Sequence, residues 1–76
     1  MKIEILGSGC AKCHETERRV QAALVQTGKS AEVEHLYDMK AIAQRGVMFT
    51  PAVAIDGQVK IAGKVPAVED IIKLLG

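Results

Sequence analysis

The chain contains few aromatic residues and almost no net charge. Its 76 residues include one Phe, one Tyr and no Trp, and ten basic residues stand against nine acidic ones. Nucleic-acid-binding domains usually present a basic surface, and single-strand binders add aromatic rings on which the bases stack. Because both features are missing, we expect no nucleic-acid partner. The core must be built from Val, Ile, Leu and Ala.

Long apolar runs are missing as well. The apolar stretches are far too short to cross a bilayer, and Met1 leads almost directly into an apolar strand without the regions that make up a signal peptide. We therefore expect a cytoplasmic protein that has no membrane partner. The length predicts one domain over residues 1–76, and we expect this domain to be a monomer.

Cysteine occurs only twice, and both residues lie in one short motif. Cys10 and Cys13 enclose Ala-Lys, and His14 follows directly. Three chemistries use this arrangement: a dithiol that opens and closes a disulfide, a carrier of a soft metal ion, and covalent attachment of haem. Haem attachment is disfavoured because it needs export of the protein and usually a largely helical fold that surrounds the haem. In a reducing compartment, a catalytic or metal-binding pair is more common than a structural disulfide.

The first half of the chain has the pattern of a strand, a long helix and a second strand. Apolar residues alternate over residues 2–6 and again over residues 31–37, and a helical pattern lies between them, from Cys10 to Thr27. Two strands joined by a helix become parallel neighbours through a right-handed crossover.

The second half adds a short helix, a hairpin and a final helix. Asp38 is placed to cap a helix over residues 39–45, and Asp56-Gly57 predicts a two-residue hairpin between two short apolar runs. Pro66 is predicted in the first turn of the last helix. The complete order is βαβαββα, an α/β architecture. We expect a four-stranded mixed sheet in the order 2-1-3-4, with helices on both faces.

The helix geometry allows the two sulfur atoms to form a disulfide with little movement. Residues at positions i and i+3 of a helix have Cβ atoms about 5–6 Å apart, and a disulfide needs about 3.5–4.5 Å. Cys10 and Cys13 therefore need only a slight tightening of the first turn. Such a bond constrains very little chain, so it suits a reversible reaction better than a structural role.

The same geometry separates the roles of the two cysteines. Cys13 falls on one helical stripe with Val20 and Leu24, so it faces the core. Cys10 stands at the first turn, where unpaired N–H groups and the helix dipole favour an anion, and the charge of Lys12 acts in the same direction. We predict a lowered pKa for Cys10, which makes it the nucleophile, and we predict that Cys13 is the resolving thiol.

These features resemble the thioredoxin-like family, in particular its small, glutaredoxin-sized redox-active disulfide proteins. A strand leads into Cys10-Ala-Lys-Cys13 at the start of a helix, and Thr50-Pro51 precedes the hairpin. The resemblance covers nearly the whole chain. It implies a minimal thioredoxin fold and a thiol–disulfide oxidoreductase that acts on protein disulfides. It implies no cofactor, and it implies an unidentified reductant or reductase as a second partner.

The resemblance also implies roles for four residues outside the cysteine pair. Pro51 is expected to follow a cis peptide bond and to lie beside the cysteines, and the backbone of Thr50 is expected to pair with the bound substrate. Gly63 is expected to let the substrate approach the same surface. Glu4 lies six residues before Cys10. At that position the family often has a buried carboxylate that assists proton transfer from the second cysteine.

Two departures from the family pattern concern the cysteine motif itself. Ala-Lys stands between the cysteines where thioredoxins have Gly-Pro and glutaredoxins have Pro-Tyr, and Ser8-Gly9 replaces an aromatic residue just before the motif. Because the intervening residues influence the reduction potential, neither the direction of exchange nor the reductant follows from the resemblance.

Two other functions fit the same motif. A small heavy-metal carrier would hold Cu(I) or Zn(II) on the two thiolates, but that family has the order βαββαβ and usually has Met where this chain has Ser8. A redox-sensing module without turnover is the second alternative. For three further residues the sequence favours ordinary roles. His14 and Lys12 are expected to be solvated helix residues, with Lys12 modulating the cysteines, and His35 is expected to be a packed or edge residue of its strand.

Overall fold

The computed structural model describes residues 1–9 and 11–75, and these residues form the predicted βαβαββα order. The elements are β1 (Lys2–Leu6), α1 (Ala11–Thr27), β2 (Glu32–Leu36), α2 (Met39–Gln44), β3 (Ala52–Ile55), β4 (Gln58–Ala62) and α3 (Val68–Leu75). The second strand and second helix are slightly shorter than predicted. Within the described residues, no helix has both the length and the apolar character needed to cross a membrane.

The four strands form one sheet in the predicted order β2-β1-β3-β4. β1 pairs with β2 in parallel, with Lys2 opposite Glu32. β3 lies antiparallel to both β1 and β4, and its pairing with β4 shifts register between Val53 and Ala54. β1 is therefore a central strand. The cysteine motif follows shortly after the C-terminal end of β1 in the sequence.

Alternate residues of β1 face two separate layers of helices. Ile3 and Ile5 lie in a core cluster on the face that α1 and α3 cover; the helices contribute Val20, Ala23, Leu24, Ile71 and Leu75. Leu6 lies in a second cluster with Ile42 of α2. This alternation is the period-two pattern of a strand that is buried on both faces. Helices on both faces of the sheet are thus confirmed.

Local turn chemistry explains how the shorter elements begin and end. The side chain of Asp38 accepts a hydrogen bond of 3.0 Å from the Lys40 backbone N–H and caps α2, as predicted. Asp56 and Gly57 have φ values of 50° and 85°, and these positive angles are what a two-residue hairpin turn requires. The Asp56 carboxylate also accepts a hydrogen bond of 2.8 Å from the Lys2 backbone N–H, which ties the turn to β1.

The prediction for Pro66 is wrong by a short distance. α3 begins at Val68, and the Ala67 carbonyl accepts hydrogen bonds from the backbone N–H groups of Asp70 and Ile71. Pro66 is buried before the helix, and its carbonyl accepts a hydrogen bond of 3.0 Å from Arg19 on α1. The first backbone hydrogen bonds of α3 therefore end on the Ala67 carbonyl, one residue after the proline.

Candidate active site

α1 carries Cys13 on its buried face. Cys13 has no exposed surface, and Val20 and Leu24 of the same helical stripe are also buried. Thr16 lies one turn after Lys12 and donates a hydrogen bond of 2.8 Å from its hydroxyl to the Lys12 carbonyl. Cys13 thus occupies the interior position that the helical spacing predicts. Cys10, the predicted nucleophile, lies outside the described residues.

Gly7 provides the surface against which the Cys13 sulfur packs. A Cβ atom placed on Gly7 would overlap the Sγ atom of Cys13, and the same point lies 3.8 Å from the Cβ atom of Thr50. The missing side chain of Gly7 therefore allows two predicted site residues, Cys13 and Thr50, to approach one position just after β1. Gly7 is itself buried, so the contact is shielded from solvent.

The segment before β3 turns through a cis peptide bond. The bond between Thr50 and Pro51 is cis, which is the isomer that the family resemblance implies. The Pro51 carbonyl accepts a hydrogen bond of 3.0 Å from the Gly63 backbone N–H. Gly63 has a φ of 80°, and a Cβ atom at this position would lie 3.0 Å from the Cβ atom of Phe49. Thr50, Pro51 and Gly63 therefore lie next to one another, with Phe49 beside Gly63; Gly63 is exposed, whereas the Pro51 side chain is buried.

Two large apolar side chains are exposed next to Thr50, Pro51 and Gly63. Phe49 is 69% exposed and Met48 is 86% exposed, and both come directly before Thr50. Large apolar side chains with this much exposure are a common sign of a surface that contacts another molecule when they lie together. The position of these two beside the cis peptide bond places an apolar rim next to the predicted substrate-binding residues.

Tyr37 supplies an aromatic ring at the cysteine motif. The residue just before the motif is Gly9, in the segment Ser8-Gly9 where the family resemblance implies an aromatic side chain. Gly9 has a φ of 90°, and a Cβ atom there would lie 2.8 Å from the Tyr37 Cε1 atom. The Tyr37 ring, which is 53% exposed, thus covers the glycine. An aromatic surface is present at the motif, although it comes from the end of β2.

Glu4 is held in an ion pair with Arg45. The two carboxylate oxygens accept hydrogen bonds of 2.7 and 2.8 Å from the two terminal guanidinium nitrogens. These hydrogen bonds keep the pKa of Glu4 below its usual range, although burial of the carboxylate acts in the opposite direction. Glu4 is paired across the sheet with Ala54, which belongs to the core cluster on the α2 face. The carboxylate therefore faces α2, whereas α1, which carries Cys13, covers the other face.

The remaining residues predicted near the motif lie at the surface of α1. Lys12 and His14 are both exposed. His14 lies near two other possible metal ligands, Glu17 of the same helix and His35 of β2. His35 lies on β2, an edge strand of the sheet, and its ring packs against the rings of His14 and Tyr37.

Three important residues of this region were not singled out in the sequence: Gly7, Tyr37 and Arg45. Two of the decisive contacts join segments that are distant in the chain: Arg45 and Glu4 are 41 positions apart, and Tyr37, which follows β2, meets Gly9 before α1. The contact of Gly7 with Cys13 is closer in sequence but depends on how α1 packs on the end of β1. One signal could have indicated Arg45. A carboxylate predicted to be buried needs a cationic partner, because an unpaired buried charge is strongly destabilising.

Comparison with known proteins adds independent information. A family model described as a thioredoxin domain matches residues 1–76. A protein named thioredoxin from Methanothermobacter thermautotrophicus is 40% identical over 75 residues, which cover 99% of this chain and 97% of that protein. A second protein named thioredoxin, from Methanocaldococcus jannaschii, is 41% identical over 69 residues, which cover 91% of this chain and 79% of that protein. The similarity is thus not restricted to the cysteine motif and extends over the sheet and its helices.

Proposed function

Because this chain belongs to the thioredoxin domain family and is a thioredoxin-like thiol–disulfide oxidoreductase, we propose that Cys10 and Cys13 carry out its exchange with protein disulfides. The observation that supports this proposal most strongly is the position of Cys13. Its sulfur is buried against Gly7, at a point that Thr50 also approaches. A resolving thiol needs this kind of shelter, since it must act only after a substrate has been attached.

The proposed reaction transfers two electrons from the dithiol to a substrate disulfide. The Cys10 thiolate attacks one substrate sulfur, a mixed disulfide forms, and the other substrate sulfur leaves as a thiolate that takes up a proton. Cys13 then loses its proton and attacks the Cys10 sulfur. The substrate leaves as a dithiol, and the protein retains a Cys10–Cys13 disulfide. A reductant must supply two electrons to restore the dithiol.

The assignment of the nucleophile to Cys10 is based on its place in the sequence. Cys10 directly precedes Ala11, the residue at which α1 begins. The unpaired N–H groups and the positive end of the dipole at a helix start stabilise a thiolate. Lys12 is exposed close by in sequence and adds positive charge. Together these features support the predicted lowering of the Cys10 pKa.

We propose that the substrate binds along Thr50, Pro51 and Gly63. The hydrogen bond from the Gly63 N–H to the Pro51 carbonyl holds the two segments together. An extended substrate segment next to Thr50 would come close to the position where the Cys13 sulfur packs on Gly7. The exposed Phe49 and Met48 side chains would then contact apolar residues of the substrate protein on either side of its disulfide.

The proposed role of Glu4 in proton transfer remains a prediction. Its hydrogen bonds to Arg45 favour the carboxylate, which is the form that accepts a proton, and they make that carboxylate a weaker base. The carboxylate also faces α2 while Cys13 lies on α1. Proton transfer between them would therefore need a relay.

The proposal also covers the compartment, the partners and the oligomeric state of the protein. A dithiol that cycles needs a reducing compartment, so we propose the cytoplasm. The proposed partners are proteins with accessible disulfides and one reductant or reductase, and the proposed form is a monomer. The heavy-metal carrier is not favoured, because the described residues have the order βαβαββα, whereas that family has βαββαβ.

The test is turnover with a protein disulfide. The protein should accelerate the reduction of insulin by dithiothreitol, and a Cys10→Ser, Cys13→Ser double variant should not. Folding of the double variant is checked by circular dichroism. If the protein forms its disulfide in a reversible redox titration but produces no acceleration, it is a sensing module without turnover, and the enzymatic part of the proposal is wrong.

A further inference from the structure

His35 is a histidine of β2 whose side chain is almost entirely buried. Its side chain is only 5% exposed, and neither ring nitrogen has a hydrogen-bond partner within the described residues. Leaving a buried polar group without a hydrogen bond destabilises a fold. The His35 ring stacks on the Tyr37 ring, with the two centroids 4.1 Å apart. A phenylalanine ring could stack in the same way, so packing alone does not explain a histidine at this position. The polar atoms of His35 therefore need another explanation.

Two further ligand groups of α1 lie next to His35. His14 and Glu17 are three positions apart, so both side chains lie on the same side of the helix. The Glu17 Oε2 atom is 3.8 Å from the His35 Nδ1 atom, which is too long for a hydrogen bond. The His14 ring lies edge-on to His35 with the centroids 5.8 Å apart. One ligand atom from each of the three residues lies within 4.8 Å of the other two.

The neighbouring charges of α1 do not compete for Glu17. Arg18 and Arg19, the two cations that follow it, form ion pairs of 2.9 and 3.1 Å with Glu15. Among the described residues, the one ionic contact of Glu17 is with His35. The Glu17 carboxylate is therefore available to a positively charged ligand placed between it and the two imidazoles.

Two imidazoles and one carboxylate are a typical ligand set for a transition-metal ion. Zn²⁺ is held by such a set with a fourth position left open, whereas Ca²⁺ and Mg²⁺ prefer oxygen ligands alone. Bonds of about 2.0–2.1 Å in a tetrahedral site place the ligand atoms about 3.3 Å apart. The ligand atoms here would have to approach by roughly an ångström or slightly more. Rotation of His14, which is exposed, and Glu17, which is half-buried, can supply that movement while His35 stays fixed by Tyr37.

We propose that His14, Glu17 and His35 bind a divalent transition-metal ion, with Zn²⁺ as the occupant. The site joins α1 to β2, and it includes the residue that directly follows Cys13. It uses neither cysteine, so it does not depend on the proposed thiol–disulfide exchange. Coordination provides a partner for one of the buried His35 nitrogens and leaves one metal position for water or an external ligand.

The test uses full-length protein in which the cysteines cannot bind metal. Zn²⁺ is titrated by calorimetry into the Cys10→Ser, Cys13→Ser variant and, in parallel, into the wild-type protein after oxidation, which covers the case in which the double variant does not fold. We expect one Zn²⁺ per chain with a dissociation constant in the micromolar range or below. The ring ¹⁵N resonances of His14 and His35 should shift together with the calorimetric signal.

Substitutions of the two helix residues decide whether the binding belongs to this site. His14→Ala and Glu17→Gln should each lower the affinity by at least about 10–100-fold, the range known for residues that merely support metal ligands. Glu69→Gln, on the exposed surface of α3, should leave the affinity unchanged. Absence of binding below millimolar Zn²⁺, or binding that both His14→Ala and Glu17→Gln leave intact, would overturn the proposal.

Discussion

At the residue scale, the absence of one side chain decides where the Cys13 sulfur lies. Gly7 is buried immediately after β1, and Cys13 packs on its Cα atom. The helical stripe shared with Val20 predicted that Cys13 is buried, because burial on a helix follows from spacing alone. The contact with Gly7 was not predictable in the same way. It joins a strand end to a helix face, and no local pattern reports which atom will lie opposite a glycine.

Replacing Gly7 with Ala tests this contact. The added methyl group would overlap the Cys13 sulfur, so α1 or β1 must move. We expect the free energy of unfolding to fall by about 1–3 kcal/mol, as for other overpacked sites. Disulfide exchange should slow by up to about 100-fold, the cost of displacing a reacting group by about 1 Å. Urea titration and the insulin assay measure the two effects.

Ser8→Ala is the matched control for Gly7→Ala, because Ser8 is the next residue and is exposed. It should change neither stability nor exchange appreciably. If Gly7→Ala is as stable and as active as Ser8→Ala, the sulfur does not depend on the space at Gly7, and this part of the account is wrong.

The Glu4–Arg45 ion pair predicts a defined dependence of stability on pH. The pKa of Glu4 in the folded protein is lowered from its ordinary value of 4.5 by the hydrogen bonds from Arg45. The pair therefore stabilises the fold fully above about pH 4.5, and this contribution is lost as the pH falls below 4.5 through the lower folded value. Glu4→Gln should cost about 1–2 kcal/mol at neutral pH, since the exposed part of Arg45 weakens the pair.

Urea titrations of wild type and Glu4→Gln across the acidic range measure this effect. The difference between the two curves should shrink as the pH falls below 4.5. Glu34→Gln is the control, because Glu34 pairs with Lys2 at 3.0 Å on the surface, where both side chains are nearly half exposed. It should have little effect. A Glu4→Gln difference that stays constant down to acid unfolding would contradict the lowered pKa.

At the scale of secondary-structure elements, the positions with their own turn chemistry were predictable from the sequence. Asp38 caps α2, and Asp56-Gly57 forms the hairpin turn, because each residue acts on backbone groups within a few positions. Pro66 shows the limit of such signals. Its ring is compatible with the first turn of a helix, but Pro66 lies before α3, where its carbonyl accepts a hydrogen bond from Arg19 of α1. That contact depends on how α1 and α3 pack.

The cap of α2 gives a prediction at this scale. Asp38→Ala removes the acceptor for the Lys40 N–H and should lower the free energy of unfolding by about 0.5–2 kcal/mol. Asp38→Asn keeps an acceptor oxygen and should retain most of the stability. Urea titration of both variants measures the difference. Equal losses in both would show that the charge of Asp38, and not the cap hydrogen bond, stabilises α2.

At the scale of the whole molecule, the fold brings four segments of the chain to one end of the sheet. The end of β1 supplies Gly7, α1 supplies Cys13, and the loops before β3 and after β4 supply Thr50 and Gly63. The order of the strands in the sheet was predictable, because the crossover rule and the hairpin leave few possible arrangements of four strands. The choice of Thr50 and Gly63 came from the family resemblance. The cluster of His14, Glu17 and His35 was not foreseen, since it depends on which strand lies beside which turn of α1.

The most direct measurement of the central claim is covalent trapping of a substrate by single-cysteine variants. Each variant is mixed with an oxidised protein substrate, and mixed disulfides are quantified by non-reducing electrophoresis and mass spectrometry. Cys13→Ser should accumulate a complex linked through Cys10, because the resolving thiol is missing and the attacking thiolate remains. Cys10→Ser should accumulate little, because Cys13 is buried against Gly7. Equal trapping by both variants, or trapping by Cys10→Ser alone, would contradict the assignment of attack to Cys10 and resolution to Cys13.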